Sequence, residues 1–270
     1  MKKKWKIFWI TCAVSGTVGI VFLILAFIMG VTFQKVESMM PNGISIGKFE
    51  EVESSDIHDL YEGITALDID LKAGVLKILV SDGEEVEIMT EGISKKLKFS
   101  CYREGNTLVV DTIDDIRGIV NQSIGEVTIY LPDELYLDYA EISVGAGALY
   151  VESIKVGDFS VDVGAGTADI GSFEAKRADF DCGAGEMMTH GFVDKEIDID
   201  CGIGNVTFNT YDSEQNYNYT LSCGIGEIIC GSNRYSGIGG EQKIDHHHGF
   251  KEMDIDCGLG EVEVVFEGGH

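Results

Sequence analysis

Four aspartates recur in one setting. Asp162, Asp181, Asp200 and Asp256 each stand directly before a small apolar residue (Val163, Cys182, Cys201, Cys257) that Gly-x-Gly follows. Asp70 takes the same place in an earlier, degenerate copy. Asp68, Asp179, Asp198 and Asp254 lie two residues upstream, and Glu186, Glu227 and Glu261 follow their glycines. Carboxylates stacked by a repeat repel one another. Two chemistries would use such rows. Clustered oxygen ligands hold Ca2+, which makes Asp162, Asp181, Asp200 and Asp256 the metal candidates. Carboxylate pairs also cleave polysaccharides. Against both, Ser143 and Ser222 interrupt the row, and no pair is set apart as a dyad. The Gly-Gly-x-Gly-x-Asp repeat of calcium-loaded solenoids is missing as well. The rows read first as a solvated outward face, with no catalytic residue and no cofactor assigned.

Cysteine is the second candidate. Cys182, Cys201, Cys223 and Cys257 share the position before the glycines, where earlier copies have Val144 and Val163. Exchange with valine means small and apolar, and free cysteine packs as a small hydrophobe. The row therefore reads as an inward ladder of thiols. Coil spacing would admit a disulfide between Cys182 and Cys201, but parallel side chains point the same way. Thiolates in a line also do not make the tetrahedral cage zinc prefers. In His246-His247-His248 only the outer two share a face of a strand.

These residues are positioned by a repeat. Gly-x-Gly occurs at Gly145/Gly147, Gly164/Gly166, Gly183/Gly185, Gly202/Gly204, Gly224/Gly226 and Gly258/Gly260, the first four units at 19-residue steps. Alternating apolar residues flank every unit, as in Ile199-Asp200-Cys201 before one and Val206, Phe208 after it. Period two is the signature of a strand. Glycine permits the sharp backbone bends that would form corners. A dinucleotide-binding loop is excluded, because a helix must follow its glycines and here strands do. The fold class is all-β: a single-chain β-solenoid over residues 64–266, each 19-residue coil burying its apolar side against its neighbours. The long step from Gly224 to Gly258 requires an insertion, expected as a polar loop at 231–249.

Upstream the pattern differs. Lys2, Lys3, Lys4 and Lys6 precede an uncharged run from Ile7 to Phe33. As a helix that run would measure about 40 Å, more than the roughly 30 Å of a hydrocarbon core. It is about twice a signal-peptide apolar region and lacks a small-x-small end. The expectation is a cytoplasmic tail (1–6), one transmembrane helix (7–33) and an acidic linker (34–63), with the repeat domain outside the cell by the positive-inside rule. The net charge of −26 excludes phosphate-directed nucleic-acid binding.

Together the Gly-x-Gly coils, the lysine-rich apolar start and the strand end Ile129-Tyr130-Leu131-Pro132 resemble the bacterial adhesin-like DUF4097 family. The resemblance implies a right-handed β-solenoid in the bacterial envelope and supplies no catalytic residues. The expected protein is thus a membrane-anchored, non-enzymatic interaction module, adhesin-like or associated with envelope stress, whose partner is an envelope protein or a glycan. The alternatives are a polysaccharide-acting β-helix enzyme and a calcium-stabilised stalk.

Overall fold

A computed structural model describes residues 56–94, 97–112, 125–238, 240–246 and 249–268. Its strands are β1 (His58–Tyr61), β2 (Ala66–Leu71), β3 (Gly74–Ser81), β4 (Val86–Glu91), β5 (Ser100–Glu104), β6 (Thr107–Asp111) and β7 (Glu126–Pro132). They continue as β8 (Tyr136–Val151), β9 (Ile154–Thr210), β10 (Tyr217–Cys223), β11 (Ile225–Cys230), β12 (Asn233–Ile238), β13 (Glu241–Ile244) and β14 (Lys251–Phe266). All fourteen belong to one sheet. The fold is all-β.

Why one strand can run for 57 residues follows from its burial pattern. Within one coil of β9, Phe173 and Ala175, then Ala178, Phe180 and Cys182, then Met187 and Thr189 are buried. The residues between these three runs are outward, so the chain bends at each break while its pairing continues. Repetition of that pattern stacks coil on coil. Tyr136–Val151 of β8 pairs in parallel with Lys155–Ile170 of β9 in register. Phe159, Phe173, Phe180 and Phe208 meet inside with ring centroids 5.3 to 5.9 Å apart. The degenerate early copy is a full layer: β2 and β3 pair with β8, placing Asp70 beside Ser143 and Gly74 beside Gly147.

Chain order and stacking order part at both ends. At one end β6 lies outside β2 and β7 outside β3, although β8 follows both in sequence. At the other, β14 enters between β9 and the layer formed by β10 and β11. The sequence alone suggests stacking in chain order; instead the coil of Cys257 sits on that of Cys201, and the coil of Cys223 is outermost. Segment 231–249, expected as a polar loop, carries β12 and β13, which pair antiparallel with β11 and β10 and cover that outer edge. At the opposite end β5, β4 and β1 do the same by antiparallel pairing. β1 lies at the end of the segment read as a linker.

The expected membrane helix at 7–33 lies outside the described residues. Among the described residues no helix is long and apolar enough to cross a membrane. The single-pass bacterial-membrane localisation drawn from that helix is therefore corrected: the structure does not support it. What the described chain offers is strand pairing, with most of its apolar side chains turned into the coils.

Candidate carboxylate face and interior thiols

Strand register turns the sequence repeat into surface rows. Asp111 neighbours Asp70, Asp70 neighbours Ser143, and Ser143 neighbours Asp162. Beyond Asp181 the row continues as Asp200 beside Asp256 and Asp256 beside Ser222. A parallel row, one outward position earlier, places Asp198 beside Asp254. The four candidate aspartates are all exposed. Among the described residues no three His, Cys, Asp or Glu side chains converge as a metal site, because the repeat spaces these carboxylates one per layer.

Electrostatics within the rows is repulsive. Partial desolvation, then Glu196 and Asp254, push Asp198 up to about 6. Desolvation followed by Asp179 and Asp162 raises Asp181, and desolvation followed by Asp181 and Asp256 raises Asp200. A carboxyl that holds its proton more tightly when folded adds stability at low pH, and loses it as pH rises through the folded value. The melting temperature is therefore expected to climb as pH falls from about 7.5 to about 5. Asp198→Asn should raise the melting temperature at neutral pH and flatten that climb. Thermal unfolding followed by circular dichroism at both pH values is the check, and a melting temperature that fell over this interval would contradict the row geometry.

A shallow groove of about 400 Å³ crosses this face beside Tyr139, Glu141, Asp158, Arg177, Asp179 and Asp198. Arg177 donates from Nε and a terminal nitrogen to both Asp158 oxygens, at 2.7 and 2.8 Å, tying adjacent coils together. Those hydrogen bonds hold the Asp158 carboxyl below its usual range. The sequence reading missed this groove. Its only signal was one arginine in an otherwise acidic outward row.

Inside, Cys182, Cys201, Cys223 and Cys257 are all buried and unbridged. Desolvation pushes the Cys182 thiol up to about 11 and the Cys257 thiol up to about 12. Protonated buried thiols are poor nucleophiles and poor metal ligands. His246 Nδ1 lies 2.8 Å from the Tyr217 carbonyl, which fixes the ring beside β10. His248 lies outside the described residues.

The paired glycines stack backbone against backbone. A Cβ on Gly147, Gly166, Gly185, Gly204 or Gly260 would lie 1.9 Å from a carbonyl oxygen of the next coil's glycine. On Gly145, which faces the Lys72 carbonyl, and on Gly164, Gly183, Gly202, Gly224 or Gly258 the distance would be 2.5 to 2.8 Å, and on Gly226 it would be 2.4 Å. Real Cβ atoms do not approach so closely, so at each of these contacts the residue whose Cβ would face the neighbouring layer must be glycine.

A stack of glycine-bent β-coils with in-register acidic rows defines a repeat-built β-protein. The chain belongs to the Toastrack DUF4097 family, whose model matches residues 64–268. Among solved structures it is similar to a candidate cell adhesion protein from Clostridium sporogenes, at 14% identity and a TM-score of 0.50. That match covers 78% of this chain and 98% of the other. A candidate adhesin from Parabacteroides merdae matches at 12% identity over 81% of this chain and 100% of its own, with a TM-score of 0.33. A candidate lipid-binding protein from Parabacteroides distasonis matches at 11% identity over 81% and 100%, with a TM-score of 0.25. No curated protein matches the chain.

Proposed function

We propose that this protein is a non-enzymatic, adhesin-like interaction module that presents its carboxylate-lined sheet face to a partner. The observation that carries the reading is the persistence of two outward acidic rows through successive layers, at the cost of mutual repulsion that raises Asp181, Asp198 and Asp200. A face that served only solubility would scatter its charges instead. Stacked coils also offer the extended, regular surface that repeat proteins use for binding. The adhesin description of the structural relatives points the same way. The reading includes a right-handed coil, the usual hand where parallel strands are joined.

The test uses beads coated with the full-length chain, settled on intact bacterial cells and counted after washing. A second set carries Asp179→Asn, Asp181→Asn, Asp198→Asn and Asp200→Asn. Retention lost in the variant supports the face as the contact surface. Equal retention would remove it, and release of reducing sugar from a polysaccharide panel would favour the enzyme instead.

A further inference from the structure

The glycine bends carry a feature that the acidic rows do not explain. Between the paired glycines stand Ala146, Ala165 and Ala184 in the earlier coils, but Ile203, Leu259 and Ile225 in the last three layers. Leu259 lies in register with Ile203, and the backbones of Gly224 and Gly226 rest on those of Gly258 and Gly260, which brings Ile225 beside Leu259. Ile203 and Leu259 are each 44% exposed and Ile225 is 63% exposed. Glycines flank each one along the chain, so no sequence neighbour shields this aliphatic ridge. Contiguous exposed apolar surface marks an interaction site.

Carboxylates border the ridge on both sides. Asp200 and Asp256 precede the bend, with Asp198 and Asp254 behind them, and Glu261 follows it. No hydrogen bond or ion pair engages any of these five side chains among the described residues, whereas Glu227 is paired with Arg234 at 3.3 Å. We propose that the ridge and its acidic borders dock a cationic amphipathic segment of a partner protein. Its apolar face would cover Ile203, Leu259 and Ile225, and its Lys or Arg side chains would meet the free carboxylates. Charge complementarity selects this occupant. A second copy of the chain would bring the same carboxylates against themselves, and a net charge of −26 repels anionic lipid. The proposal rests on the interaction-module reading and names the partner chemistry at one end of that face.

The full-length chain is titrated calorimetrically with three probes. One is a short Leu/Lys peptide spaced to form an amphipathic helix, one is a scrambled peptide of the same composition, and one is oligolysine of equal charge. The amphipathic peptide is expected to bind at least about tenfold more tightly than the other two. Ile203→Ser/Ile225→Ser/Leu259→Ser should weaken it by about tenfold and leave oligolysine unchanged. Asp200→Asn/Asp256→Asn/Glu261→Gln should weaken all three cationic probes and flatten their salt dependence. All these side chains are outward and the acidic variants only relieve repulsion, so melting temperatures measured on the same samples should not fall below that of the parent. Equal binding of the amphipathic peptide to parent and serine variant, or no binding to the parent, would overturn the proposal. The bead variant keeps Ile203, Leu259 and Ile225 but removes two border carboxylates, so the two readings separate on the parent protein: parent beads retained on cells without peptide binding would discard the ridge alone.

Discussion

Lys251→Ala is expected to destabilise the fold by about 3–5 kcal/mol, the cost of leaving one partner of a buried ion pair alone. Lys251 is 2% exposed, and its Nζ donates to Asp212 Oδ2 at 2.5 Å and to the Val193 carbonyl at 2.7 Å. The Phe192 ring lies 3.8 Å from the same ammonium group. Burial pushes the Asp212 carboxyl up, but hydrogen bonds from Lys251, Ser213 and Asn216 outweigh it and hold the group below its usual range. The stability this pair contributes is present above the usual carboxylate range, and it is lost as pH falls through the depressed value. Lys251 opens β14, the strand that enters between β9 and β10, and Asp212 closes the turn where the chain leaves β9. The ion pair therefore pins the point at which stacking departs from chain order. Lys251→Met/Asp212→Leu should recover much of the loss, because a buried pair replaced by apolar groups of similar volume is often neutral. Urea unfolding of the single and double variants measures both numbers. A single variant costing less than about 1 kcal/mol would mean the pair is screened like a surface one.

Gly204→Val is expected to abolish the native stack, with a loss beyond about 4 kcal/mol. The added Cβ would sit 1.9 Å from the Gly185 carbonyl oxygen, and the residue has φ +148°. The obstacle is backbone, which cannot swing aside as a side chain can. Gly105→Ala is the matched control. Gly105 also has positive φ, at +62°, but a Cβ there meets nothing within 4 Å. Only the left-handed backbone penalty of about 1–2 kcal/mol should appear. Comparing the two by thermal unfolding separates backbone conformation from layer contact. Similar melting temperatures for both variants would show that the glycine bend is not where layers meet.

The buried pair also marks a limit of reading by pattern. Lys251 precedes Met253, Ile255 and Cys257 at two-residue spacing, so the alternation itself places it in the inward phase. A lysine in that phase signals a buried partner, yet Asp212 lies in a turn with no periodicity and nothing in the sequence joins them. The groove beside Arg177 was hidden for a related reason. Its walls come from coils one repeat apart, and its shape depends on how far each outward side chain leans across the sheet.

The residues alone were enough to define the coil. Alternation at period two separates inward Ile199 and Cys201 from outward Asp198 and Asp200, and Gly-x-Gly admits the close backbone contact between layers. Both are local properties, expressed within one repeat, and they carried the all-β class and the acidic rows. The order of the layers needed the folded molecule. Ile-Asp-Cys-Gly before Ile203, Leu-Ser-Cys-Gly before Ile225 and Ile-Asp-Cys-Gly before Leu259 present nearly the same inward face, so hydrophobic pattern cannot say which coil rests on Cys201. That choice is made by contacts between distant segments: the Lys251–Asp212 pair, the pairing of β13 with β10 and the cover of β12 on β11. Only with that order in place do Ile203, Leu259 and Ile225 meet, because near-identical repeats encode a coil but not its neighbour.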